Sequence, residues 1–332
     1  MSKEDKAVDV ALAALEKKYG NTVITKLDAD PEPLDAIPTG IISVDRALGI
    51  GGFPKGRIVE LHGTESSGKT TLALKTVDSA QKLGYTCAYV DAEHALDPAY
   101  AHRLGVDTSA LLLSQPSSGE EAIDVVSNLV RTGQVGVVVV DSVAALTPQA
   151  EIDGEIEDQN VALLARLMAR AVKRLTHLAH ESDALIIFIN QLREKPGQMY
   201  GPTTTTPGGR SLKYQSSVRV AMRHKEKKVN KSTGEVLGAR VAAEVIKNKV
   251  APPFRKAEFD IVGHKGVDLE AEIADLAVDY DLIEKKGAWF ARDGNNIAHG
   301  RNQLIQLLES DAKFREDLYS RIYELVFGEG YG

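Results

Sequence analysis

Apolar residues in this chain follow two rhythms. Between residues 34 and 265, short unbroken aliphatic runs alternate with stretches in which apolar residues recur every three or four positions. The runs at 57–62, 86–91, 110–114, 135–140, 184–190, 217–223 and 240–248 read as strands, and 69–83, 98–104, 119–132 and 159–181 read as helices. Continuous rather than alternating strands fit a mostly parallel sheet covered on both faces by helices, so an α/β core is expected over 34–265. Residues 4–18 set Val8, Ala11, Leu12 and Leu15 at helical spacing, with Gly20 as a stop. A β-like piece over 22–27 and a proline-marked linker over 28–35 follow. A lone helix and strand bury little by themselves, so 1–33 is expected to pack on the core or dock on another subunit. From 266 to 332 the pattern changes to an amphipathic helix over 268–285, a hairpin over 289–297 around Asp293-Gly294-Asn295, and one or two helices over 302–327. That segment reads as a small α+β domain, and no solenoid-type repeat is present.

Composition narrows the class. The chain has 332 residues, 43% hydrophobic and 26% charged, enough for a large core domain with small appendages. Aromatic residues are only 5%, so the core is expected to be aliphatic. Net charge is −7, so any nucleic-acid surface must be a local basic patch working against the average. Cys87 is the single cysteine, which excludes an intrachain disulfide and fits a reducing compartment. No apolar signal segment follows Met1, and the longest apolar runs, 135–140 and 184–189, are too short to cross a bilayer. A soluble, cytoplasmic protein without a membrane partner is expected.

Candidate chemistry lies at the carboxyl ends of the strand-like runs. Gly63-Thr64-Glu65-Ser66-Ser67-Gly68-Lys69-Thr70 fits the phosphate-binding loop G-x-x-x-x-G-K-[S/T], set between a β-branched run and a helical one. Its glycines let backbone N–H groups cradle an anion at a helix N-terminus. Lys69 can reach the β- and γ-phosphates and the Thr70 hydroxyl can bind Mg²⁺. Asp141, ending the run Val137-Val138-Val139-Val140, is the matching Mg²⁺-orienting carboxylate. Asp91 and Glu93 both follow the run at 86–91 and compete for the place beside an attacking water. Asn190-Gln191 ends another run, as a γ-phosphate sensor or a strand-end cap. The loop Pro202 to Arg210 is rich in hydroxyls and glycine, with Arg193, Lys195, Arg210 and Lys213 in or beside it. It reads as a nucleic-acid backbone contact or a solvated loop. Basic runs at 219–228 and 247–249 read first as solvated charged faces. Lys247 and Lys249, two apart on a β-like run, share a face from which they can act on a neighbouring subunit's nucleotide.

These motifs together resemble the bacterial RecA recombinase family over nearly the whole chain. The resemblance rests on the phosphate loop with Glu65-Ser66-Ser67, Asp91 through Pro98, Val140 through Pro148 with Ala150 to Ile152, Phe188 to Gln191, and Lys247-Asn248-Lys249. It implies a P-loop, RecA-like ATPase core, a polymerisation segment at 1–33 and a small C-terminal domain from 266. ATP and Mg²⁺ are the implied cofactors, held by Gly63, Glu65, Ser66, Ser67, Gly68, Lys69, Thr70, Thr71, Asp97, Tyr100 and Asp141, with Thr70 and Asp141 at the metal. Glu93 falls on the family's water-activating glutamate, Gln191 on its nucleotide sensor, and Lys247 and Lys249 on the pair that reaches a neighbour's ATP. The implied DNA loops are about 153–161 and 192–209, with DNA contacts at Arg166, Arg193, Lys195, Thr205, Thr206, Gly208, Gly209, Arg210 and Ser211. Tyr214 falls on an aromatic interface position, with Lys213 and Arg219 near it.

The departures mark a diverged member of bacterial or phage origin. Thr64 replaces a common proline, Val161 a methionine, Pro196 a larger aliphatic residue and Gly263 a tyrosine near the nucleotide. The segment 224–240 is rearranged and slightly longer, and the end at Gly332 lacks a long acidic tail. The expected function is a DNA-dependent ATPase that forms filaments on single-stranded DNA and pairs and exchanges it with duplex DNA, giving ATP-dependent recombinational repair. A filament that triggers self-cleavage of a repressor in the SOS response is the second expectation. A hexameric P-loop helicase is the alternative, since ring and filament cores share a fold.

Overall fold

The computed structural model describes residues 3–20, 24, 34–155, 162–194, 204–229, 233–263 and 265–328. The chain divides into a short unit, Met1–Pro33, and a large one, Leu34–Gly332. In the short unit, α1 (Lys3–Tyr19) closes where the Gly20 N–H donates to the Glu16 carbonyl at 2.8 Å, with glycine in the left-handed region. The strand expected over 22–27 lies outside the described residues except for Ile24.

The large unit opens with α2 (Ile42–Leu48), flanked by a two-stranded ribbon of Ala36–Ile37 and Phe53–Pro54. A nine-stranded sheet follows. Its strands are β1 (Ile58–Gly63), β2 (Thr86–Asp91), β3 (Leu112–Ser114), β4 (Val135–Asp141), β5 (Leu185–Gln191), β6 (Val218–Val229), β7 (Val236–Asn248), β8 (Lys256–Val262) and β9 (Gly266–Val267). Their order is β9-β8-β7-β6-β1-β5-β4-β2-β3. From β6 to β3 every neighbouring pair is parallel; from β6 to β9 every pair is antiparallel.

The unbroken aliphatic runs have a direct cause. Side chains alternate faces along a strand. Val137, Val139, Leu185, Ile187 and Ile189 meet Leu72, Leu74 and Val77 of α3 (Lys69–Lys82) on one face. Val138, Val140, Ile186 and Phe188 meet α5 (Gly119–Arg131) and α7 (Leu163–Ser182) on the other. With both faces covered, these runs stay apolar until their ends, and Glu60 inside β1 is buried with partners of its own. Between these helices lie α4 (Pro98–Arg103) and α6 (Gln149–Ile152), and α8 (Ser211–Gln215) leads into β6.

The α/β fold with a mostly parallel, helix-covered sheet is therefore present, with three adjustments. Strand β8 is absent from the sequence reading because it alternates: Ala257 and Phe259 are buried while Lys256 and Glu258 are exposed. The change of character placed at 266 comes slightly early, because Gly266–Val267 still pairs with Ile261 and Val262. The helix expected over 268–285 stops as α9 (Leu269–Asp279), because Asp281 is left-handed and Glu284–Lys286 enters a sheet instead. That sheet comprises β10 (Glu284–Lys286), β11 (Trp289–Arg292) and β12 (Asn295–His299). Arg292 pairs with Asn295 across Asp293 and Gly294, both at positive φ, which is a two-residue turn matched to strand twist. Helices α10 (Arg301–Ser310) and α11 (Ala312–Phe327) complete the segment; Asp311 separates them and its carboxylate accepts the Phe314 N–H at 3.0 Å. Their core joins Ile273, Phe290, Leu304, Leu308, Leu318 and Ile322 to Ile42 of α2. The buried Glu272 carboxylate clips the two parts together by accepting the Ser43 hydroxyl at 2.6 Å and the Ser43 N–H at 2.9 Å.

Candidate nucleotide site

The parallel strands deliver their carboxyl ends to one edge, where ligands of open α/β sheets bind. Register puts Gly63 beside Gln191 and Met222, and Asp91 beside Asp141. At Gly63 the turn admits no side chain: a Cβ there would lie 2.2 Å from the Met222 carbonyl oxygen and 2.7 Å from Ser67 Oγ. Ser66 and Gly68 are both left-handed, at φ 55° and 86°, which curls the loop before α3 begins at Lys69.

Lys69 is only 8% exposed, and its Nζ donates to the Thr64 carbonyl at 2.6 Å and the Gly63 carbonyl at 3.3 Å. Burial pushes its amine below the ordinary lysine value, while Asp141, Glu93 and Glu65 pull it back up. Among the described residues no carboxylate pairs with it. A desolvated cation covered only by carbonyls, at a helix N-terminus, fits an anionic phosphate chain.

Thr70 Oγ1 donates to Asp141 Oδ2 at 2.9 Å, and the Tyr89 hydroxyl donates to the same oxygen at 2.6 Å. Burial raises the Asp141 carboxyl above the usual range, opposed by those two hydrogen bonds. Among the described residues no three His, Cys, Asp or Glu side chains gather to hold a metal by themselves. One carboxylate beside one hydroxyl fits Mg²⁺, which takes its remaining ligands from water and phosphate oxygens.

Glu93 and Asp91 separate clearly. Asp91 is 2% exposed, and its oxygens accept the N–H groups of Ala95 at 3.2 Å and Leu96 at 3.1 Å and the Gln115 amide at 3.2 Å. It closes its own turn. Glu93 is exposed, and its Oε1 accepts both the Ser142 hydroxyl and, at 3.2 Å, Gln191 Nε2. Sequence reasoning missed Ser142, although it follows Asp141 directly and so shares its position at the end of β4.

Other candidates are divided between site and scaffold. Asp97 caps α4 by accepting the Ala99 N–H at 2.8 Å and pairs with Arg103 at 3.8 Å. Tyr100 and Thr71 share a hydrogen bond of 2.8 Å that holds α4 against the start of α3. Ser66 to Thr71, Tyr100 and Gly263 line a groove of about 520 Å³ with residues of β6, β7 and β8. Lys247 and Lys249 do not line it. Lys247 Nζ caps α8 through the carbonyls of Lys213 at 2.9 Å and Tyr214 at 2.7 Å. Lys249 lies beyond the end of β7, so the expected shared strand face does not form.

Beneath the cradle runs a buried polar chain. Arg219 Nε donates to Glu60 Oε2 at 2.5 Å, and Asn190 Nδ2 donates to Glu60 Oε1 at 3.0 Å and to the Pro207 carbonyl at 3.2 Å. Asn190 thereby ties β1 to the base of the 192–209 loop. The stem of that loop pairs Arg193 with Thr205 and leads through the exposed Thr205 and half-buried Thr206. A Cβ at Gly208 would meet Val143 at 2.9 Å and Met168 at 3.1 Å, and one at Gly209 would meet Ala165 at 2.9 Å, next to exposed Arg166. Arg210 precedes α8, whose first residue is Ser211. Lys195, Val161 and Pro196 lie outside the described residues, as does most of the loop expected over 153–161. The signal for the buried chain was visible as a lone glutamate inside the apolar run 58–61.

His62 gives a pH-dependent stability. Burial, opposed by Glu60 and reinforced by Arg219, Arg223 and Lys69, pushes its imidazole down to about 4. The folded state binds fewer protons than the unfolded one between the ordinary value of 6.5 and about 4. Stability present above pH 6.5 is therefore lost as pH falls through that window, by about 3 kcal/mol in all. Urea unfolding of the His62→Phe variant at stepped pH is expected to lack this slope.

Two family models match the chain. The RecA N-terminal domain model matches residues 6–268 and the RecA C-terminal domain model matches 271–326. The chain is 48% identical to Protein RecA of Corynebacterium urealyticum, covering 96% of this chain and 86% of that one. It is 48% identical to Protein RecA of a Sulfurovum species, over 100% and 96%. It is 45% identical to that of Borrelia duttonii, over 98% and 90%. Among solved structures, the RadB recombinase is similar with a TM-score of 0.53 and 26% identity, over 70% of this chain and 98% of that one. Two adjoining family matches, near-half identity over almost the full length and a phosphate cradle at the expected strand edge lead to one conclusion: the chain belongs to the RecA family.

Proposed function

We propose that the protein is an ATP-dependent recombinase that assembles on single-stranded DNA, pairs it with a homologous duplex and exchanges strands. The observation that carries this reading is the hydrogen bond from Gln191 to Glu93 Oε1. Gln191 ends β5, its neighbour Asn190 holds Pro207, and the intervening 192–209 segment is the candidate DNA loop. A change at the γ-phosphate side of Glu93 thus has a two-residue route to that loop.

In this reading Lys69 and the cradle N–H groups hold the β- and γ-phosphates, and Thr70 and Asp141 hold Mg²⁺. The ion, when bound, neutralises charge that develops on the phosphate oxygens. Ser142 and Gln191 fix the Glu93 carboxylate, which orients the attacking water and accepts its proton. When the γ-phosphate is present Gln191 has a second acceptor, and releasing Glu93 for that acceptor repositions the loop. Arg166, Arg193, Thr205, Thr206, Arg210 and the Gly208-Gly209 backbone then contact DNA phosphates, with Lys195 and Ser211 beside them. Homology is read by base pairing rather than by the protein.

Lys247 and Lys249 act across a subunit boundary, on the nucleotide of a neighbouring copy docked through residues 1–33. Burial, with help from Lys249 and Arg219, lowers the Lys247 amine to about 8. The charge is present below that value and lost above it. A neighbour's triphosphate beside it favours the charged amine, so docking holds a charge that the chain by itself begins to lose there.

The test is strand exchange by the full chain with ATP, scored on homologous and heterologous DNA pairs. Joint molecules only from homologous pairs support the reading. Unwinding of a forked duplex without homology would assign the chain to the motor class instead. Cleavage of a repressor by the same filaments would add the SOS role.

A further inference from the structure

The groove beside the cradle has a wall that the mechanism above does not use. That wall is the β6–β7 hairpin, whose basic residues read in the sequence as a solvated charged face. Residues 223–227 are exposed, and register divides them between two neighbours. His224 pairs with Val241 and Glu226 with Arg240, leaving Lys225 as an extra residue in a β-bulge. A bulge resets the alternation of faces. His224 and Lys227, three residues apart, therefore lie on one face, and both line the groove with their cross-strand partners Val241 and Ala239.

The remaining lysines of the run go elsewhere. Lys225 pairs with Glu258 at 3.3 Å and Lys228 with Asp260 at 2.5 Å, both on β8. Lys227 is exposed and, among the described residues, has no ion pair or hydrogen bond. Val236 and Leu237, on the same wall, are 56% and 41% exposed. The groove thus combines a phosphate cradle at one end, uncovered aliphatic surface along one side, and two cation-capable side chains that have no hydrogen-bond or ion-pair partner among the described residues. A ligand that satisfies all three is anionic at one end and flat and apolar at the other.

We infer that His224 and Lys227 contact the bound nucleoside triphosphate in the same chain that supplies the cradle, with the base lying along Val236 and Leu237. The inference rests on the reading of the cradle as an ATP site and adds a second source of cations to it. Lys69 serves the phosphate end, Lys247 and Lys249 come from a neighbour, and Lys227 acts in cis from the hairpin. Nucleotide affinity then has a component that persists in the unassembled protein.

The experiment is calorimetric titration of the full chain, without DNA, with Mg²⁺ and a slowly hydrolysed ATP analogue. Variants are Lys227→Ala, Lys227→Arg and, as control, Lys69→Ala. Loss of one partly exposed charge-assisted contact is expected to raise the Kd about fivefold to tenfold in Lys227→Ala. Lys227→Arg is expected to restore it to within about twofold, which lost packing would not explain. An unchanged Kd in Lys227→Ala, with binding lost in Lys69→Ala, overturns the hairpin contact and leaves the cradle standing; the hairpin face would then serve another copy of the chain. Unchanged binding in Lys69→Ala as well would overturn the cradle reading itself.

Discussion

Replacing Glu93 by glutamine is expected to leave ATP bound and stop its hydrolysis, with turnover falling about a hundredfold or more, the usual worth of a positioned general base. The substitution is nearly isosteric. A glutamine oxygen can still accept the Ser142 hydroxyl and the Gln191 amide that hold Glu93 Oε1. Geometry is kept and only the proton-accepting charge is lost. ATP affinity is expected to stay within about threefold, because no Glu93 contact is needed to hold phosphate. Filaments on single-stranded DNA should then outlive those of the parent chain, since the step that weakens them is blocked. Single-turnover hydrolysis together with filament lifetime checks both outcomes. Normal turnover in this variant would remove Glu93 from the mechanism, and Asp91 is a poor replacement because both its oxygens already accept hydrogen bonds within its own turn.

The second large effect belongs to Lys69→Ala. Two charge-assisted contacts to phosphate are lost with it, so ATP affinity is expected to fall about a hundredfold or more. The stability of the nucleotide-free protein should move the other way or not at all. Among the described residues, Lys69 is a buried cation satisfied only by the Thr64 and Gly63 carbonyls, and removing a desolvated charge with no carboxylate partner there is not costly to the fold. Thermal unfolding therefore separates loss of binding from loss of structure: affinity collapses while the midpoint holds or rises. A fall in the midpoint as large as the fall in affinity would make Lys69 a scaffold residue instead.

Much of this was readable before any coordinates. The runs ending in Asp141 and Gln191 announced parallel strands covered on both faces, and Gly63 to Thr70 announced the cradle. The reasons are local: each signal depends on residues close in sequence and on the obligatory alternation along a strand. What escaped depends on register. Ser142, Asn190 and Glu60 gain their meaning only when β1, β5, β4 and β2 lie side by side, because the Ser142–Glu93 and Asn190–Glu60 hydrogen bonds join residues 49 and 130 positions apart. Strand β8 escaped because it opens by alternating, with buried Ala257 and Phe259 set between exposed Lys256 and Glu258, and so lacks an unbroken aliphatic run.

Lys247 and the hairpin show a second limit. Charged residues declare a charge but not a direction. Lys247 spends its amine on the carbonyl end of α8, while a single bulged residue, Lys225, sends Lys227 to the groove beside the phosphate loop and Lys228 to Asp260. Asp97 carries a similar double meaning, since a helix cap and a nucleotide contact ask for the same residue type at the same place.

The central claim is that the nucleotide site reports its state to a loop that holds DNA, and that DNA held there acts back on hydrolysis through the same Gln191–Glu93 contact. Steady-state ATP turnover by the full chain, with and without single-stranded DNA at low salt, tests it most directly. With about 1–3 kcal/mol of that contact expressed in the transition state for hydrolysis, turnover is expected to rise about fivefold to a hundredfold on adding DNA, and to return to its basal rate as salt is raised. ATP turnover that is the same with and without DNA, under salt conditions where DNA is bound, would contradict the account.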